Sequence, residues 1–99
     1  MKFLFDIDDT ILFSDVDENG DYELKYENKK LIEKLNGLHD AGNQVILWTG
    51  RHWNHLEITQ KQLLFAGVKY DTLIMGKPPV DYYVEDKALR PAEFLSMEF

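Results

Sequence analysis

Asp6, Asp8 and Asp9 follow directly on a short apolar run, Phe3-Leu4-Phe5. Carboxylates crowded at one edge repel each other unless a hard cation sits among them, and Mg2+ suits a set of a few oxygens, waters and a phosphate. A metal-bound carboxylate can attack phosphorus in line to give an aspartyl phosphate, while a second acid protonates the leaving oxygen and later activates water. In Asp6-Ile7-Asp8 the period-two alternation of an extended segment puts both carboxylates on one side, and a turn after the strand can aim the second at the leaving group. Further on, Thr49-Gly50-Arg51, Lys77 and Glu85-Asp86 each come after an apolar run. Thr49 and Lys77 have the chemistry to hold phosphoryl oxygens and neutralise developing charge. Any strand must end in something polar, so each residue alone has a structural explanation; the joint pattern carries the weight.

Four segments have to bring these residues together. Lys2 to Ile7 reads as a buried parallel strand whose carboxyl end meets solvent. Between Phe13 and Leu24 the Asn19-Gly20 pair signals a tight turn, hence a small hairpin flap. Leu31, Ile32, Leu35 and Leu38 recur at helical spacing within Glu27 to Ala41, with Gly42-Asn43 as the stop. Gln44 to Trp48 is a second buried strand, followed by the turn at Thr49 and a helix reaching about Ala66-Gly67. Asp71 to Met75 is a third strand, Gly76-Lys77-Pro78-Pro79 a forced loop, and Asp81 to Val84 a fourth strand. This alternation predicts one α/β domain over residues 1–99, a doubly wound, Rossmann-like parallel sheet of about four strands with helices on both faces and sites at the strands' carboxyl ends.

Composition narrows the functional classes. The chain has 99 residues, with 18 acidic against 11 basic side chains and a net charge of −7. Binding along a phosphate backbone needs clustered Lys and Arg, and the adjacent pair Lys29-Lys30 reads as a solvated helix face, so a phosphorylated small molecule is the expected partner rather than nucleic acid. With no cysteine there is no disulfide framework and no thiolate ligand or nucleophile, a pattern compatible with a cytoplasmic protein. The apolar start is too short for a signal peptide, and no run is long enough to cross a bilayer.

Phe5-Asp6-Ile7-Asp8-Asp9-Thr10-Ile11 resembles the first motif of the haloacid dehalogenase superfamily, an apolar strand followed by Asp-x-Asp-x-Thr. Ile46-Leu47-Trp48-Thr49 is similar to its second motif, Lys77 to its third, and Tyr82-Tyr83-Val84-Glu85-Asp86 to its acidic fourth, in the right order over nearly the whole chain. The resemblance implies an Mg2+-dependent phosphomonoester hydrolase. Asp6 is then nucleophile and metal ligand, and Asp8 is general acid/base with its carbonyl on the metal. Thr49 binds phosphate, Lys77 orients nucleophile and phosphoryl group, and Asp86 or Glu85 makes the further metal contact. Asp9, Gly50 and Arg51 join the substrate-binding set. Asp8 favours phosphoryl transfer over dehalogenation, and both places where relatives insert a cap are short here, so the resemblance implies a capless enzyme. Access is then shaped by the flap, by an oligomer neighbour or by a bulky substrate. Tyr70 to Leu95 also looks like small phosphatase-like proteins found near capsule-biosynthesis genes and in phages.

Other readings compete. A receiver domain shares the fold type and an aspartyl phosphate, but its phosphoacceptor follows the third strand, where Leu73-Ile74-Met75-Gly76 has no Asp. A catalytically silent binding or scaffold protein is the alternative to an enzyme. Asp15-x-Asp17-x-Asn19-Gly20 opens like a calcium loop, yet Tyr26 stands where a bidentate Glu is needed. His52 and His55 lack a third ligand. Arg51 either touches phosphate or solvates its loop, and Trp53 either stacks on a substrate ring or covers a helix start.

Overall fold

The computed structural model describes residues 1–99. Three strands form a parallel sheet in the order β1-β4-β5: β1 (Lys2–Asp6), β4 (Gln44–Trp48) and β5 (Thr72–Ile74). Phe5 pairs with Leu47, and Leu47 with Leu73. Between β1 and the first helix, β2 (Leu12–Val16) and β3 (Tyr22–Glu27) make an antiparallel hairpin, the expected flap. In its turn Asp17 Oδ1 accepts the N–H groups of Asn19 and Asp21, both at 2.9 Å, and Gly20 takes φ +79°. The loop thus uses an Asp17 carboxylate oxygen itself. The hairpin closes on its own ends: Asn28 N–H donates to the Ile11 carbonyl at 2.8 Å, so the chain leaves the flap where it entered.

Helix α1 (Lys29–Asp40) is capped by Asn28, whose Oδ1 accepts from Leu31 N–H at 3.2 Å, and it buries Leu31, Ile32 and Leu35. Helix α2 (Leu56–Phe65) follows a single 3₁₀ turn at Trp53–His55. A third helix, α3 (Pro91–Ser96), has no counterpart among the elements expected from the sequence. Its start is nevertheless encoded locally: Pro91 stands at the first helical position, and Glu93 Oε1 accepts from Arg90 N–H at 2.8 Å.

All three helices lie against one face of the sheet. Phe5, Val45 and Leu47 pack with Leu31, Ile32 and Leu35 of α1, Leu63 of α2 and Phe94 of α3. The opposite face carries Leu4 and Ile74, which are 51% and 41% exposed. The expected doubly wound sheet of four strands is therefore corrected to three strands with helices on one face. Two right-handed crossovers that step the same way along a sheet put both helices on the same side. The expected fourth strand is not formed: Asp81 to Val84 makes no ladder with β5, and residues 81–90 are exposed throughout. Pro78 and Pro79 have no N–H to donate and fix φ, turning the chain off the β5 edge, and Tyr83 packs edge-on against Trp48 at 5.9 Å instead.

The C-terminal segment is fastened by α1. Lys34 donates to the carbonyl of Phe94, which also accepts Met97 N–H, and to that of Met97 just past the helix end. The same ammonium lies 4.7 Å from the Phe94 ring centroid and 5.1 Å from that of Phe99. Lys34→Ala is expected to destabilise this segment by about 1–2 kcal/mol. Amide exchange at residues 91–97 should accelerate while β1 and β4 keep their protection; unchanged exchange would show that Phe94 packing alone holds the helix.

Candidate active site

The carboxyl end of β1 is built by one carbonyl. Ile7, fully buried, accepts N–H bonds from Thr10, Ile11 and Leu12 at 3.3, 2.9 and 3.0 Å. That tight return requires a left-handed residue, and Asp9 supplies it at φ +62°, an uncommon conformation that Asp tolerates better than most side chains. Asp9 is exposed beside the site, and nothing in the protein engages its carboxylate.

Across the sheet, the pairing of β4 with β5 continues past both strands. Thr49 N–H donates to Ile74 O at 3.0 Å, Lys77 N–H to Thr49 O at 2.8 Å and Gly76 N–H to Arg51 O at 2.9 Å. These bonds bring Lys77 to β1, its Nζ standing 3.6 Å from Asp6 Oδ2.

Asp8 is held by two neighbours. Its Oδ2 accepts the Thr49 hydroxyl at 2.7 Å, and its Oδ1 accepts Arg51 Nε and Nη2 at 3.1 and 2.9 Å. Arg51 is buried and uses every donor: Nη1 reaches Thr59 Oγ1 at 3.2 Å and Gln62 Oε1 at 2.7 Å, and Nη2 also reaches Ser14 Oγ at 3.4 Å. The guanidinium stacks over Tyr22 at 4.1 Å, and Gln62 Nε2 ties back to the Tyr22 carbonyl at 3.0 Å. Five N–H groups are all a guanidinium has, so none is left for phosphate.

The two acids differ accordingly. Burial pushes the Asp6 carboxyl above its ordinary value, the Lys77 ammonium opposes this, and the nearby Asp8 charge adds to the rise. Asp8 keeps one lone-pair site beyond the three already used, and it is one-third exposed toward the site.

Asp6, Asp8 and Lys77 therefore meet as the sequence leads one to expect. Thr49 and Arg51 are placed differently: both are buried behind Asp8 rather than at the open mouth, which corrects their expected place on the phosphate. Glu85 and Asp86 do not join the group. They lie on the exposed segment, where Glu85 Oε2 accepts Lys87 N–H at 2.9 Å, and nowhere do three His, Asp or Glu side chains gather. The Asp6 carboxylate and the Asp8 carbonyl, which no backbone N–H engages, are two oxygens; as arranged, the residues do not fit the expected carboxylate-rich Mg2+ site. Ser14, Tyr22, Thr59 and Gln62 were missed, although Thr59 and Gln62 stand three apart, on one face of a helix.

The fold and site together define a small α/β chain with acids and a lysine at the carboxyl edge of a parallel sheet. A crystal structure of a structural-genomics target from Vibrio cholerae is similar to it, with a TM-score of 0.80 and 26% identity over 98% of this chain and 89% of that one. No family model matches the chain, and no curated protein matches it. No helix is long and apolar enough to cross a membrane.

Proposed function

We propose that the chain hydrolyses phosphomonoesters through an aspartyl phosphate on Asp6, as a capless phosphatase resembling the haloacid dehalogenase superfamily. The observation that carries this reading is the Asp6–Lys77 pair at 3.6 Å, with Asp8 fixed beside it. An Asp6 oxygen attacks phosphorus as the ester P–O bond breaks, and Asp8 gives the leaving alkoxide its proton; water then attacks phosphorus of the acyl phosphate, returning a proton to Asp8 and releasing phosphate and the Asp6 carboxylate. Lys77 offsets charge on the phosphoryl oxygens. The free lone-pair site of Asp8 accepts the proton of the attacking water. Thr49 and Arg51 act by holding Asp8 and touch no substrate. No step runs through a metal.

Phosphate release from a panel of phosphomonoesters, run with Mg2+ and with chelator, tests the reading. Turnover of at least one ester is expected. A requirement for Mg2+ would assign to a bound ion a place that the Asp6 carboxylate and Asp8 carbonyl could hold together with waters and the substrate's phosphate, and turnover in chelator would assign the chemistry to the side chains alone. A binding or scaffold protein without turnover is the second reading, favoured by the three hydrogen bonds that tie Asp8 to Thr49 and Arg51 and by the distant acidic pair; inactivity of folded protein on every ester under both conditions would select it.

A further inference from the structure

Trp53 stands on the 3₁₀ turn after Arg51 and leaves 64% of its surface exposed. An indole that served to cover a helix start would bury its ring. Instead its Nε1 lies 3.9 Å from where a Cβ of Gly76 would stand, alongside the backbone that delivers Lys77 to Asp6. Beside the Lys77 ammonium itself stand Trp48 and Tyr83, their ring centroids 5.2 and 5.1 Å from Nζ. Tyr83 is itself 53% exposed. The ammonium that faces Asp6 is thus bordered by aromatic surface open to solvent.

Charge sets what else the mouth can accept. Arg51, the nearest guanidinium in sequence, has all five donors engaged within the protein, and the chain as a whole carries −7. One ammonium suits one phosphoryl group. The alcohol part of an ester whose phosphate sits at Lys77 meets rings rather than further cations.

Building on the phosphomonoester reading, we propose that Trp53 and Tyr83 form a stacking subsite for the ring of the substrate's alcohol part, so that the preferred esters are monophosphates of uncharged, ring-bearing alcohols. Nucleosides and hexoses share this chemistry, because a base plane and a sugar's C–H face both pack on an aromatic ring. Phosphate esters without a ring gain nothing from it, and a second phosphate finds no further cation beside Lys77.

Calorimetric titration of the Asp6→Asn chain with a nucleoside 5′-monophosphate, a nucleoside 5′-diphosphate, a hexose 6-phosphate and glycerol 3-phosphate tests this without interference from turnover. At least one of the ring-bearing monophosphates should bind about tenfold tighter than glycerol 3-phosphate. Whichever ring binds tighter identifies the source. Adding Trp53→Ala or Tyr83→Ala should erase most of that difference, whereas Trp53→Phe should keep it. Equal affinity for ring-bearing and ringless esters, equal gain from the diphosphate, or no effect of either alanine would overturn the subsite. Hydrolysis by the wild-type chain is scored separately, so the phosphatase reading survives if only the ring preference fails. Absence of binding by every ester overturns the subsite as well.

Discussion

Asp6→Asn is expected to abolish phosphate release, by about 10⁴-fold or more, without lowering thermal stability. The first half rests on the proposed attack: an amide of the same shape cannot form the acyl phosphate, and loss of a nucleophile costs factors of this order. The second half rests on burial. A carboxyl raised in the folded state contributes stability on the acid side and loses that contribution as pH rises through its folded value, so near neutrality the charged Asp6 is a net cost to the fold. Lys77 offsets part of that cost, being the main influence that lowers the Asp6 value. The variant should therefore melt at or above the wild-type temperature in calorimetry at pH 7. The same shift gives wild-type turnover an acid limb displaced upward from the ordinary 3.8, since attack needs the carboxylate. A variant that melts well below wild type would mean that Asp6 supports the fold, and a variant that keeps activity would remove it from the chemistry.

Arg51→Met should cost about 3 kcal/mol in urea denaturation, the low end of the range of about 3–5 kcal/mol for removing one partner of a buried ion pair. The low end applies because Asp8 is 34% exposed and water can reach the carboxylate left behind, whereas the guanidinium side chain is fully buried. Thr59, Gln62 and Ser14 lose a donor in the same step, and Tyr22 loses its stacked partner. For a domain of this size the melting temperature should fall by on the order of 15 °C. Arg51→Lys restores the charge without the planar fork and should recover only a minor part. In an Asp8→Asn background the Arg51→Met loss should shrink, because the two residues act as a pair. A cost below about 0.5 kcal/mol, the range of ordinary surface substitutions, would return Arg51 to the solvated-loop reading.

Most of the elements that place Asp6, Thr49 and Lys77 were legible because each announces itself locally. Apolar runs mark β1, β4 and β5, the spacing of Leu31, Ile32 and Leu35 marks α1, and Asn19-Gly20 marks the flap. What stayed hidden depends on where the chain goes after it leaves the sheet. Tyr82-Tyr83-Val84 has strong strand propensity, yet propensity states only that a segment suits a half-buried pleat, and after Pro78-Pro79 this one packs Tyr83 on Trp48 rather than pairing with β5. The side on which the helices lie is fixed by strand order, β1-β4-β5, which no single segment encodes. Arg51 illustrates the remaining gap: nothing adjacent to it in sequence discloses that Ser14, Tyr22, Thr59 and Gln62, from three separate elements, converge on its guanidinium.

The hydrogen bond that joins Asn28 to Ile11 at the base of the flap bears on how fast the molecule assembles. Parallel pairing of Lys2 with Gln44 closes a long loop, and the entropic cost of such a closure grows with the length of free chain between the partners. A hairpin zips in microseconds from neighbouring residues. Once β2 and β3 are zipped and Asn28 has met Ile11, the whole flap is short-circuited, and β4 has to find β1 across little more than α1 and its turn. The flap thus shortens the search that β4 makes for β1, and slowing its closure by replacing Gly20 should lengthen the refolding phase in which the central sheet forms.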